Sequence, residues 1–523
     1  MSGILAWAGP DGQPPAPALR ARLRAIAHRG PAAQAEHSAD GIWLGAALED
    51  SGDFGSFAGL TVALDGHPSN LRTLTAEQDG RESGATTPAE VVAAVLAELG
   101  VEKGLHRLEG TTALVIWDAR DRTLWAVRDR VGARPMYAAP VSGGMLVGSE
   151  IHVPAADAHS AVDFSALEVL TRVGVLPAPL CTQTGVERLE AGSRLRWSAK
   201  SGPAGDHARW WDVPDVVPGR GGALALWVKS LEYAARMCVR HAYVGSGSTA
   251  AVWVEDASSL AVLAAARHPV DGPLPAIVVE IEGFAPPAEG ARERIVARLG
   301  PDQLYEALDE LAAHPEPTTD PDALVYWALA RRADASGITT ILTGRGADAW
   351  LDPAPASPIA RVRARLSSPA PTEPELQRIA AASPTQPPPG SWLNRRLYLP
   401  ERALRTADVV GALTGTRFVA PLADPRLAHL GSTVPIGHHA AIAPLLWAAM
   451  GASAGTSGHR TTVPLRSWLV GPCRSLVDGL ADRLAPFMDP TSLTPLIAAL
   501  PRSDAAAERI FALIAISRWL DAR

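Results

Sequence analysis

The alternation of apolar and polar positions changes character partway along the chain. Up to about residue 210 the apolar stretches are short and separated by turn residues. Val115, Ile116, Trp117 and Asp118 lead into a polar turn and then into Leu124, Trp125, Ala126 and Val127. That apolar–turn–apolar order predicts an antiparallel strand pair. Residues 89–99, rich in Ala, Val and Leu with Glu toward either end, predict a helix lying on that sheet. After Trp210, Trp211 and Asp212 the chain becomes Pro- and Gly-rich. A linker is therefore expected at 214–222, between one domain at 1–213 and another at 223–523.

Beyond the linker the pattern predicts helices at 224–236, 259–267, 289–299 and 324–335, interleaved with strands at 241–244, 276–281 and 338–343. Such interleaving implies an α/β domain with a parallel sheet. The Pro-rich stretch 360–389 is expected to be a mobile or inserted segment, and the remainder to be mostly helical. No internal repeat is evident.

Composition narrows the setting. A chain of 523 residues exceeds one compact core, and 47% hydrophobic with 20% charged residues is that of a folded soluble protein. A net charge of −7 offers no basic field for nucleic acid or an anionic membrane. Neither a leader peptide nor an apolar run of about 18 residues is seen, so a cytoplasmic location is expected. The three cysteines, Cys181, Cys238 and Cys473, have no paired spacing; they exclude a disulfide framework and suit a reducing compartment. Only three of the 48 basic residues are lysine, and none follows Lys229.

Motifs in the first domain carry a resemblance. Leu108-Glu109-Gly110, Trp117-Asp118, Arg128-Asp129-Arg130-Val131-Gly132-Ala133-Arg134-Pro135-Met136-Tyr137 and Ser149-Glu150-Ile151 occur in order, preceded by His28-Arg29-Gly30-Pro31 and followed by Trp211-Asp212. This set resembles the glutaminase domain of class II amidotransferases of the asparagine synthetase type, a family that includes β-lactam synthetases and lasso peptide cyclases. The resemblance implies an αββα sandwich of the N-terminal nucleophile (Ntn) type, followed by an ATP-pyrophosphatase-like parallel-sheet domain.

Against that family the chemistry is depleted. The family's nucleophilic cysteine corresponds to Ser2, a vestigial position, because a hydroxyl is a poor nucleophile at neutral pH without strong activation. With Met1 retained, the amine of Ser2 would lie within a peptide bond. The oxyanion motif is replaced by Asp65-Gly66-His67-Pro68-Ser69-Asn70, with a carboxylate where a donor is needed. His67 is expected to be a surface histidine. No arginine lies between Arg29 and Arg72, and Thr86-Thr87-Pro88 stands where the family grips the substrate amine.

In the second domain the resemblance assigns the pyrophosphate loop, with its backbone N–H nest, to Gly245, Ser246, Gly247, Ser248 and Thr249. The metal-binding aspartate is then Thr249. A second loop, Thr343-Gly344-Arg345-Gly346-Ala347-Asp348, keeps Asp348 as the candidate metal and pyrophosphate ligand, with Gly344 and Gly346 as cofactor-binding positions. Arg345 would either steady an anion or pair with Asp348. The family's catalytic lysine is missing, which leaves Arg460 or His459 for its role. Asp256, Asp320 or Glu289 is a candidate replacement metal ligand. Binding of ATP and Mg²⁺ is therefore expected to be weakened or lost.

Three functions stay open. One is a non-catalytic protein, a pseudoenzyme component of a specialised-metabolite or modified-peptide pathway, acting alone, as a homodimer or as a heterodimer with an active homologue. Another is a diverged ATP-dependent amide- or lactam-forming ligase that takes its amine from a small-molecule or peptide substrate. The third is a catalyst that uses the cleft without ATP.

Overall fold

The computed structural model describes the chain apart from residues 11–13, 156–159, 213–222, 245–248, 269–271, 284–293, 352–376, 378–380, 382–389, 436–437 and 453–460. The expected linker and almost all of 360–389 lie outside the described residues. Contacts divide the chain into two units, 1–163 with 177–214, and 164–176 with 215–523.

The first unit is built on two six-stranded sheets. One contains β1 (Gly3–Ala8), β2 (Ala33–Ala39), β3 (Ile42–Leu48), β8 (Tyr137–Val141), β9 (Gly144–Gly148) and β10 (Glu187–Arg188). The other contains β4 (Phe54–Phe57), β5 (Leu60–Asp65), β6 (Ala113–Asp118), β7 (Thr123–Val127), β11 (Ser193–Trp197) and β12 (Asp206–Arg209). The β6–β7 hairpin forms where the pattern predicts it, with Ile116 opposite Trp125.

Side chains alternate across each strand, and this alternation creates the layers. Val115 and Trp117 face inward with Ile4, Ala6, Leu44 and Val147 of the other sheet. Leu114 and Ile116 point the other way, onto Val91, Val92, Val95 and Leu96. Those four belong to the helix Pro88–Leu99, which starts at a capping box between Thr87 and Glu90. On the outer face of the first sheet, Leu19 and Leu23 of the helix Ala16–Ala25 pack against Leu5, Trp43 and Leu146. The result is four layers, α, β, β and α.

The second unit contains a five-stranded sheet in the order β17-β16-β13-β18-β19. Its strands are β13 (Ala250–Trp253), β16 (Ala276–Ile281), β17 (Arg294–Leu299), β18 (Thr340–Leu342) and β19 (Arg417–Val419), all paired in parallel. A separate two-residue ribbon, β14 (Arg267–His268) with β15 (Gly272–Pro273), adds nothing to it. Trp253, Ile277, Val279, Leu299, Tyr326 and Phe511 share one core, and the last of these comes from the terminal helix Asp504–Asp521.

Two sequence expectations are corrected here. Residues 241–244 form the last turn of the helix Leu224–Val244 rather than a strand. Leu231, Ala235, Cys238 and Val239 are buried at helical spacing, and that stripe carries the helix onward. The strand comes next, at Ala250–Trp253, where four consecutive residues are buried, as befits a strand covered on both faces. Residues 294–299, expected to be helical, form a strand that extends the parallel sheet, with Ile295 beside Ile277. Helices do form at Asp322–Asp334 and Ala257–Ala265, close to their predicted places.

Candidate functional site

Ser2 lies at the start of β1 and is fully buried. Its hydroxyl donates to Asp53 Oδ2 at 2.9 Å and accepts from the Glu49 N–H at 3.1 Å. Its own backbone N–H donates to Asp65 Oδ1 at 2.9 Å. The Met1 amine pairs with Glu49, and burial lowers its pKa below the ordinary value despite that partner. With Met1 in place the Ser2 nitrogen is an amide, and the hydroxyl sits between a carboxylate and a backbone donor.

The residues around Ser2 form a buried charge cluster. Arg29, with no exposed side-chain surface, reaches Asp65 at 3.3 Å and Glu150 at 3.5 Å. Glu150 also meets His28 Nε2 at 2.7 Å. Arg134 Nε approaches Asp65 at 3.9 Å. Asp65 at the oxyanion position is thus a held carboxylate, which accepts hydrogen bonds and has none to offer a developing negative charge.

His67 departs from the expectation of a plain surface residue. Its ring pairs with the buried Asp53, and this hydrogen bond raises the imidazole pKa above its ordinary value. The Arg-Asp-Arg motif is structural. Asp129 accepts backbone N–H groups from Val131, Ala133 and Arg134 at 3.1, 3.1 and 2.8 Å, which staples the turn that opens β8. Asn70 bonds the backbone of Arg107 and Glu109.

In the second unit the stretch expected to be the pyrophosphate loop precedes β13 in the chain and does not follow it. Gly245, Ser246, Gly247 and Ser248 lie outside the described residues, and the chain emerges from them at Thr249 into β13. Thr249 therefore marks the amino end of that strand. Its hydroxyl bonds Gly337, and its carbonyl accepts from Thr339 and Thr340 at 3.0 and 3.2 Å. Ligands of open parallel sheets bind at the carboxyl ends, so a carboxylate at 249 would sit at the wrong end.

The turn that does leave the carboxyl end of β13 is 254–259, which enters the helix Ala257–Ala265. Asp256 caps that helix, accepting from Ser259 N at 2.9 Å. Beside it, after β18, comes the loop with Gly344, Arg345 and Gly346, then the helix Ala347–Leu351 whose first turn holds Asp348. A Cβ built on Gly344 would lie 2.4 Å from Ser258 Oγ and 2.5 Å from Ser259 N. Only glycine permits the two loops to close on each other so tightly.

Arg345 and Glu255 dominate this crevice. The guanidinium Nε lies 2.7 Å from Glu255 Oε1, and Nη2 donates to Glu255 Oε2 at 3.1 Å. Nη1 reaches Asp322 at 2.7 Å. Arg345 is 4% exposed and Glu255 2%, against 26% for Asp322. The cation also lies 4.9 Å from the centre of the Trp253 ring. Burial opposes its charge, but Asp322 and Glu255 outweigh burial and hold it above its ordinary pKa. Glu255 Oε2 further accepts the Thr461 N–H at 3.3 Å.

Arg345 therefore pairs with Glu255 and Asp322 and not with Asp348. Glu255 and Asp322 went unnoticed in the sequence because 254–259 was not recognised as the turn after the first strand. The four-residue apolar run 250–253 was the available signal. Of the candidate replacement metal ligands, Asp256 is a helix cap, and Asp320 is taken by Arg402 at 2.9 Å and Thr406 at 3.1 Å. Glu289 and Arg460 lie outside the described residues. Among those described, no group of three or more His, Cys, Asp or Glu residues could hold a metal ion. Among the described residues a polyphosphate with Mg²⁺ does not fit this arrangement: the buried Glu255 stands where phosphate oxygens would need donors, and Arg345 is already engaged.

Comparison with known proteins accords with the first unit's architecture. Residues 1–211, which contain the four-layer unit, match a glutamine amidotransferase domain. Proteins named "putative asparagine synthetase [glutamine-hydrolyzing]" from Mycobacterium bovis and Mycobacterium tuberculosis are 24% identical over 409 residues, covering 66% of this chain and 59% of theirs. The two matches together support a relationship to asparagine synthetase-like proteins, and the chain spans less than two thirds of the length of these relatives. Two solved structures also align, both at a TM-score of 0.29. One is the allosteric regulatory enzyme of purine biosynthesis, at 13% identity over 65% of this chain and 80% of that one. The other is glutamine phosphoribosylpyrophosphate amidotransferase from B. subtilis complexed with ADP and GMP, at 12% over 68% and 83%. The fold description stands on the chain's own topology. Among the described residues no helix is long and apolar enough to cross a membrane.

Proposed function

We propose that this chain is a non-catalytic, asparagine synthetase-like protein, in which an ATP-pyrophosphatase-type unit no longer handles nucleotide and an Ntn-type unit no longer hydrolyses glutamine. The observation that carries this reading is Glu255. At the turn where a phosphate would need backbone donors, the chain buries a carboxylate and spends Arg345 on it. The Ser2 site supports the same reading independently, with Asp65 in place of an oxyanion donor.

Such a protein serves as a scaffold or a partner-dependent component in the biosynthesis of a specialised metabolite or modified peptide. It would act as a homodimer or as a heterodimer with an active homologue. That setting rests on family analogy.

The test is calorimetric titration with ATP and Mg²⁺, together with an assay for glutamate released from glutamine by the natural protein and by a Ser2→Cys variant. The expected result is no heat of binding and no glutamate from either protein. Magnesium-dependent binding in the micromolar range by the natural protein would overturn the reading and return the amide-forming ligase to first place.

A further inference from the structure

The crevice that Glu255 closes has the make-up of an oxyanion receptor, and we infer that Glu255 is its resident ligand: a carboxylate of the chain itself fills the place of an external carboxylate or phosphate group. This rests on the proposed non-catalytic reading and adds to it a binding capacity held shut from within.

The argument starts from position. Glu255 lies two residues beyond β13 and Arg345 three beyond β18. These strands are neighbours, so both residues stand at the carboxyl edge of the parallel sheet, where such folds bind their ligands. Segments far apart in sequence then converge on one carboxylate. Arg345 donates from Nη2 to one of its oxygens and holds the charged Nε 2.7 Å from the other, so a charge-assisted hydrogen bond and an ion-pair contact share one carboxylate. Thr461 adds a backbone N–H. Trp253 backs the cation with its ring face. A planar cation, a backbone donor and an apolar wall are what a receptor for a free carboxylate or phosphate needs.

Energetics favour the same view. A buried ion pair is an inefficient source of stability, since desolvation offsets much of the attraction; its geometry reads more directly as recognition. The charge count explains why the receptor is closed. Among the described residues two carboxylates, Glu255 and Asp322, face the one guanidinium of Arg345, and an external anion would have to compete with both. Removing Glu255 leaves a neutral pair with an unfilled guanidinium edge. Asp322, the more exposed of the three, marks the side open to solvent.

The experiment is a Glu255→Ala variant of the full chain, melted and titrated with acetate, with inorganic phosphate and, as a control, with chloride. The natural protein is expected to ignore all three. The variant should bind acetate or phosphate and not chloride, with the melting temperature rising by about 2–5 °C at roughly ten times the dissociation constant. A response to acetate alone identifies a carboxylate receptor, and a response to phosphate identifies a phosphate receptor. Arg345→Met in the same background should abolish either. If the variant does not fold in chloride, refolding in excess acetate or phosphate is expected to recover it.

A folded variant indifferent to both anions, or one that neither anion recovers, overturns the inference and leaves the non-catalytic reading intact. Binding of ATP with Mg²⁺ by the natural protein overturns that reading instead. Acetate or phosphate binding by the natural protein would show that Glu255 does not close the site.

Discussion

Arg345→Met is the sharpest test of the charge arrangement in the second unit. Methionine keeps most of the side-chain length and the contact with Trp253 but removes the cation. Glu255, 2% exposed, then loses the guanidinium that contacts both of its oxygens. Leaving one partner of a buried pair costs about 3–5 kcal/mol. An independent bound agrees: protonating an ordinary carboxylate at neutral pH costs about 3–4 kcal/mol, which caps the cost of a buried carboxylate that loses its guanidinium. Asp322 is about a quarter exposed, so water screens much of its loss, and it adds no more than about 1 kcal/mol. The expected destabilisation of the unit is about 3–5 kcal/mol at neutral pH. Urea unfolding followed by circular dichroism would measure it. The deficit should narrow as the solution is acidified, because the lone carboxylate is then neutral in both folded and unfolded chains. A loss below about 1 kcal/mol, or one that does not depend on pH, would refute the claim that Glu255 depends on Arg345.

Two further outcomes are expected. His67 has its pKa raised by the hydrogen bond to Asp53, so its contribution to stability should be fully present below the unfolded value near 6.5 and fade as pH rises through the higher folded value. Histidine NMR titration and unfolding midpoints across that window would check this, with His67→Ala showing a flatter profile; a ring that titrates at or below its ordinary value would contradict the assignment. Gly344→Ala places a methyl group 2.4 Å from Ser258 Oγ and 2.5 Å from Ser259 N. Because one of these is backbone, the loops must part, at a cost of about 1–3 kcal/mol; a melting temperature unchanged from the natural protein would show that the loops are not in contact.

Much of the architecture was legible without coordinates because it depends on local rules. The β6–β7 hairpin follows from two apolar runs across a polar turn, and the helix Pro88–Leu99 from its periodicity together with the Thr87 cap. The family motifs also identified the first unit, and Asp129 shows why: its three backbone hydrogen bonds require that residue type at that spacing. The errors came where one pattern served two structures. A glycine- and serine-rich stretch after an apolar segment reads as a phosphate loop, yet 241–244 continues a helix and the strand begins only at Ala250. That shift moved the whole site from Thr249 to 254–259.

Sequence alone therefore determined the β6–β7 hairpin with its covering helix, the presence of a parallel sheet in the second unit, and the residues that stand at 2 and beyond Lys229, while the αββα order was implied by the family resemblance. These depend on residue type and short-range period, which the chain carries directly. Tertiary structure alone decided which residues meet. Ser2 meets Asp53 and Glu49 across about 50 residues, and Arg345 meets Glu255 across 90. Neither pairing leaves a periodic trace, because each depends on which segments the folded strands bring together: the start of β1 in the first unit, the carboxyl edge of the parallel sheet in the second.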